Sequence, residues 1–186
     1  MSVDRFIAKR VANLRERNRL TLSQLAVASG VSKAMISKIE REESSPTAAV
    51  LGRLAAGLGI SLTELVAPLD APKNAPLLPK SLQAVWKDPE TGYLRRQVAE
   101  FADCIGSELV EIEIPKEARV EYPQWSSKPY RQRLWILEGC LRVAYGEEVF
   151  TMVVGDQLDF AVDRAVVYST VGEHPCRYLL NILHQR

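Results

Sequence analysis

Histidine is nearly missing from this 186-residue chain, with two copies, and cysteine is sparse, with three. The histidines, His174 and His184, stand at the far end of the chain. The cysteines, Cys104, Cys140 and Cys176, form no close-spaced pair. An odd, scattered set excludes a disulfide framework and a cysteine-based zinc site. Each cysteine is expected to be a buried small hydrophobe, with a redox-sensing thiol as the alternative. No apolar run approaches the ~18 residues that cross a bilayer, and the opening MSVDRFIAKR has no apolar signal core. A cytoplasmic protein with no membrane partner is expected. Catalytic signatures are absent too: there is no Gly-x-Ser-x-Gly, no phosphate-binding glycine loop and no convincing Cys–His pair. Asp156 and Asp159 share a turn and read as loop caps.

What is present is ordinary for a folded domain. The chain is 47% hydrophobic and 25% charged, which argues against disorder. The formal net charge of +1 hides a split. Residues 1–66 hold ten Lys and Arg against six Asp and Glu, and the remainder holds fourteen against seventeen. A basic front half on a nearly neutral whole suggests a local surface for an anionic partner.

The most informative stretch is Leu22 to Glu42, LSQLAVASGVSKAMISKIERE. Thr21 precedes Gln24 by three, the spacing of a capping box, so a helix starts near Leu22. It runs to about Ser29, and Gly30 suits the left-handed turn that ends it. Ser32 is the next N-cap, and Met35, Ile36 and Ile39 recur at helical spacing. A connection this short forces two helices to cross steeply, as in a helix-turn-helix. Ala26 is small where they touch; Val31, Ile36 and Ile39 fill the wedge between them.

The flanks extend the pattern. Ile7, Val11 and Leu14 stripe a helix over Asp4 to Arg17, with Lys9, Arg10, Arg15 and Arg17 as a solvated face or as phosphate contacts. Pro46 or Thr47 starts a helix carrying Val50, Leu51, Leu54 and Leu58, closed by Gly59. Ser61 and Glu64 repeat the capping-box spacing ahead of a short fifth helix.

Residues 6–67 closely resemble the xenobiotic-response-element (XRE), Cro/C1-type helix-turn-helix domain, through LSQLAVASGVSKAMISKIERE and SSPTAAVLGRLAAGLGISLTELV. The resemblance implies that the third helix enters the major groove of double-stranded DNA. Lys33, Ala34, Ser37 and Lys38 then face base edges. Ser23, Gln24, Ser32 and Ser44 complete the DNA-binding candidates, the helix starts presenting free N–H groups to phosphates. Lysine donates to guanine, serine is permissive and alanine touches a thymine methyl. No Arg, Asn or Gln lies between Ser32 and Glu40, so specificity rests partly on DNA shape and on the spacing of two half-sites in a palindromic operator. A homodimer is expected.

Ala67 to Lys80 holds Pro68, Pro72, Pro76 and Pro79 without apolar periodicity and reads as an extended linker. Domains are therefore expected at 1–67 and 81–186, joined by a Pro-rich linker at 68–80. Beyond Leu82 the pattern becomes period two. Strands are expected at 94–101, 108–114, 131–137, 140–145, 149–154, 157–162, 165–170 and 177–184. Many short strands at regular spacing mean a β-sandwich or barrel.

Leu134-Trp-Ile-Leu-Glu-Gly139-Cys-Leu-Arg-Val143 and Val154-Gly-Asp156, with Phe160 beyond, resemble the two segments of the cupin fold, a double-stranded β-helix or jelly roll. The fold class is thus an α + β multidomain protein, a five-helix Cro/C1-type domain followed by a cupin barrel. The resemblance also places the positions at which metal-binding cupins carry ligands. Counting back seven from Gly139 gives Gln132; the His-x-His pair falls near Trp125 to Lys128; the last histidine falls on Val166. These residues cannot hold a divalent ion, so neither metal nor cofactor is expected. Trp125, Gln132, Leu134 and Val166 become candidates for a small-molecule effector pocket. Arg131 or Arg133 would meet a carboxylate or lie at solvated strand ends.

These readings describe a transcriptional regulator, not an enzyme. Its barrel senses an effector, and the likeness of VSKAM…IEREESSPT to regulators of sulfur or amino-acid metabolism suggests which. Two alternatives are a cupin metalloenzyme carrying a DNA-binding domain, and a repressor or antitoxin whose barrel only dimerises.

Overall fold

The structure is a computed structural model that describes residues 3–66, 76–102, 105–124 and 130–183. Five helices come first: α1 Val3–Arg17, α2 Leu22–Ser29, α3 Lys33–Glu40, α4 Ala48–Leu58 and α5 Leu62–Val66. Local chemistry sets their ends. The Thr21 hydroxyl accepts from Gln24 N while the Gln24 side chain accepts from Thr21 N, a complete capping box. Gly30 closes α2 at φ 66°, where a side chain would be strained. The Ser32 hydroxyl accepts from Met35 N to start α3. Thr47, not Pro46, caps α4, and Ser61 caps α5 through Glu64 N at 3.0 Å. Ile7, Val11, Leu25, Ile36, Ile39, Leu51, Leu54 and Leu65 are all essentially inaccessible and form the helical core.

Ten strands follow: β1 Val85–Lys87, β2 Leu94–Ala102, β3 Ser107–Ile114, β4 Arg119–Tyr122, β5 Arg131–Glu138, β6 Leu141–Tyr145, β7 Glu148–Met152, β8 Gln157–Ala161, β9 Val166–Thr170 and β10 Cys176–Leu183. They form two antiparallel sheets, in the orders β1-β2-β3-β10-β5-β8 and β4-β9-β6-β7. The last strand lies between β3 and β5, so the chain winds into a double-stranded β-helix whose closure joins distant segments. Gly139 turns the chain from β5 to β6 at φ 77°, and a Cβ there would meet the Pro175 carbonyl oxygen at 2.4 Å. Two strands, β1 and β4, went unread in the sequence, being only three and four residues long.

Helices and barrel share one continuous buried core, crossed by a polar clasp. Asp88, in the turn between β1 and β2, is 2% exposed. One carboxylate oxygen accepts from Ala48 N at the start of α4, and the other accepts from Glu90 N and Thr91 N, each at 2.8 Å. Ser61 donates to Glu108 at 3.2 Å. Gly52 of α4 has no side chain where the Tyr122 ring lies; a Cβ would stand 2.5 Å from Tyr122 Cδ1. The expected boundary at 68–80 falls partly on 67–75, which lie outside the described residues.

Candidate functional site

Among the expected DNA contacts, Lys33, Ala34 and Lys38 are exposed on α3, and Ser37 is half-buried beside them. The opposite face of the helix, Ile36 and Ile39, is buried. Neither lysine side chain has an ion pair or hydrogen bond among the described residues. Ser23 and Gln24 are exposed at the start of α2. The Gln24 carbonyl oxygen is held by Thr21 at 2.8 Å, which leaves its amide N–H groups to donate outward. Ser32 is exposed, but its hydroxyl is already the cap of α3. Ser44 is half-buried, its hydroxyl 3.9 Å from Met35 Sδ.

Of the five arginines and lysines of α1, Arg10 and Arg15 tie it to other helices. Arg15 meets Glu40 at the end of α3 through two hydrogen bonds of 2.7 and 2.9 Å. It also donates to the Leu20 carbonyl at 3.0 Å. Both side chains are nearly seven-eighths buried, so this fork fixes the angle of α3 more firmly than a surface pair would. Arg10 approaches Glu64 of α5 at 3.9 Å.

The barrel holds a narrow, partly open cavity of about 30 Å³ beside Leu62 of α5. Gln132 and Val166 line it. Leu134 points inward and is fully buried, but it packs in the core away from the cavity. Trp125 lies outside the described residues. Arg131 and Arg133 are exposed and pair with Asp159, and their hydrogen bonds hold its carboxyl below the usual range. Asp156 accepts from Val153 N at 2.8 Å, a loop cap.

Sequence reasoning missed the tyrosines. Tyr93, Tyr122, Tyr130, Tyr168 and Tyr178 all line the cavity. Tyr168 stacks on Tyr178 with centroids 6.0 Å apart and meets Tyr122 edge-on at 6.1 Å. Burial pushes the phenols of Tyr122, Tyr130, Tyr168 and Tyr178 up, so all four remain neutral hydroxyls. Gln132 is fixed among them: Tyr168 donates to its carbonyl oxygen at 3.1 Å, and its amide donates to Tyr130 Oη at 3.5 Å. Arg95, 5% exposed, is the charged member of the wall.

This donor set does not fit a divalent cation. Gln132 is committed to two tyrosines, Val166 has no donor, and the charged residues that line the cavity, Arg95 and Arg164, are positive. No three His, Cys, Asp or Glu gather as a metal site among the described residues. Burial, with Cys140 beside it, pushes the Cys176 thiol up to about 12, so it holds its proton. Cys104 lies outside the described residues. No described helix is long and apolar enough to cross a membrane.

A capped helix-turn-helix with a free basic face, backed by a jelly-roll barrel, defines a DNA-binding regulator. Known proteins agree. The HTH_3 helix-turn-helix family model matches residues 11–65. The transcriptional regulator SutR of Escherichia coli K12 is 28% identical over 174 residues, 94% of this chain and 92% of SutR. The helix-turn-helix-type regulator y4dJ of Sinorhizobium fredii is 36% identical over 70 residues, 38% of this chain and 91% of its own length. A crystal structure of an HTH_3 family transcriptional regulator from Vibrio cholerae superimposes with a TM-score of 0.80 at 28% identity, covering 98% of this chain and 97% of the other. The chain belongs to the HTH_3, XRE-type family of helix-turn-helix transcriptional regulators, and carries a jelly-roll barrel behind its DNA-binding domain.

Proposed function

We propose that this regulator binds a palindromic operator as a homodimer in the cytoplasm, and that its barrel takes a small-molecule effector and performs no catalysis. The observation that carries the first part is the unpaired Lys33 and Lys38 on the one face of α3 that is not packed. One helix this short supplies few base contacts, so tight binding calls for two subunits on half-sites about one helical turn apart. The second part is supported by the aromatic cavity at the positions where metal-binding relatives of the fold would hold their ion. A ligand bound more tightly in one arrangement of helices and barrel shifts operator affinity by linkage.

The test is Lys38→Ala in a gel-shift titration. Operator affinity should fall about tenfold, the loss of one good contact, and the dependence on salt should become shallower. The unfolding temperature should not move, because Lys38 is exposed and unpaired. Unchanged affinity would count against this docking of α3.

A further inference from the structure

Two residues that line the cavity, Arg95 and Tyr122, each hold a buried hydrogen-bond donor without a partner. Arg95 donates one terminal N–H to Thr63 Oγ1 of α5 and another to Tyr93 Oη at 3.4 Å. Its Nε–H meets nothing. Tyr122 is 8% exposed, and its hydroxyl has no partner in hydrogen-bonding geometry. The charge of Glu108 acts on Arg95 as well. Leaving two such groups dry and unpaired is costly, and one oxyanion satisfies both. Arginine is the side chain best shaped for that task. Val162, Val166 and Leu180 give the rest of the cavity an apolar wall.

We propose that the cavity is a carboxylate site. It takes a short organic acid whose carboxylate accepts from Arg95 Nε and Tyr122 Oη and whose apolar body lies among the other tyrosines. This rests on the effector-sensing reading above and names its ligand class and its route to the DNA-binding helices. Both recognition residues are also part of the contact with those helices. Arg95 is shared between the cavity and Thr63 of α5; the Tyr122 ring lies against Gly52 of α4. An acid that draws on Arg95 and Tyr122 therefore changes how α4 and α5 are held.

Thermal unfolding of the full chain, titrated with propionate and butyrate and with their neutral amides, tests the site. The acids should raise the unfolding temperature in a saturable way and the amides should not. Tyr122→Phe removes only an unpartnered hydroxyl, so it should unfold at the same or a higher temperature without ligand. It should bind propionate about tenfold more weakly. Arg95→Gln should abolish the response; Tyr122→Phe keeps the test decisive should that variant fail to fold. Thr63→Val should keep the acid-induced shift while operator affinity no longer responds to acid. Equal shifts from acid and amide, an undiminished affinity in Tyr122→Phe, or no shift with either acid would overturn the carboxylate site. An operator affinity that then still responds to polyamines, which carry no carboxylate, would leave the broader sensor reading standing, so the two failures are separable.

Discussion

Asp88→Ala is expected to destabilise the chain by about 3 kcal/mol, since hydrogen bonds to a charged group contribute about 1.5–3 kcal/mol and buried partners left unpaired add their own cost. The carboxylate accepts three backbone N–H groups, from Ala48, Glu90 and Thr91. At 2% exposure no water replaces it. One of those donors starts α4, so a negative charge there also meets the positive end of the helix. For a chain of this length the loss corresponds to a fall in unfolding temperature of about 6–12 °C, read by calorimetry. Asp88→Asn keeps one acceptor and should fall between wild type and alanine. A change of under about 2 °C for alanine would mean that Asp88 does not tie α4 to the barrel.

Gly57→Ala tests the helix-turn-helix from behind, and its sign decides. In a free helix the change stabilises by about 0.5–1 kcal/mol. Here a Cβ would stand 2.8 Å from Ser29 Cβ and 2.9 Å from both Cα and N of Ser29. Backbone cannot swing aside as a side chain can. Ser29 is pinned besides, donating to the Leu25 carbonyl at 2.7 Å and accepting from Val31 N at 3.3 Å. Overpacking of this kind costs about 1–3 kcal/mol, so the variant should be less stable in denaturant titration. It should also bind operator more weakly, because α2 sets the turn from which α3 departs. A more stable Gly57→Ala would show that α2 and α4 do not approach this closely.

The helical half was legible because its signals are local. Thr21 with Gln24, Gly30 and Ser32 lie within four residues of the ends they set, and α2 spans Leu22–Ser29 as the caps require. The strands were legible where they were long. The cavity was not, and β2 shows why. A strand was expected at 94–101, and alternation alone would turn Leu94 and Val98 inward. The structure instead buries Arg95 and Gln97 and leaves Leu94, Arg96 and Val98 half-buried. A buried guanidinium is stable only with partners, and those of Arg95 come from Thr63 on α5 and from Tyr93. No reading of one strand supplies a partner thirty-two residues away. One signal was available: two adjacent arginines on a strand must face opposite sides, so one of them points in. Leu134 was misplaced for a related reason. Strand period assigns a face but not a depth, and Leu134 lies buried on the inward face but outside the cavity wall.

The most direct test of this account is a hydroxyl-radical footprint of the full chain on DNA selected from random fragments. The account predicts two protected patches about one helical turn apart, related by a two-fold axis in the sequence, and lost together in Lys38→Ala. Uniform protection of any duplex, or a single patch bound by one subunit, would contradict it.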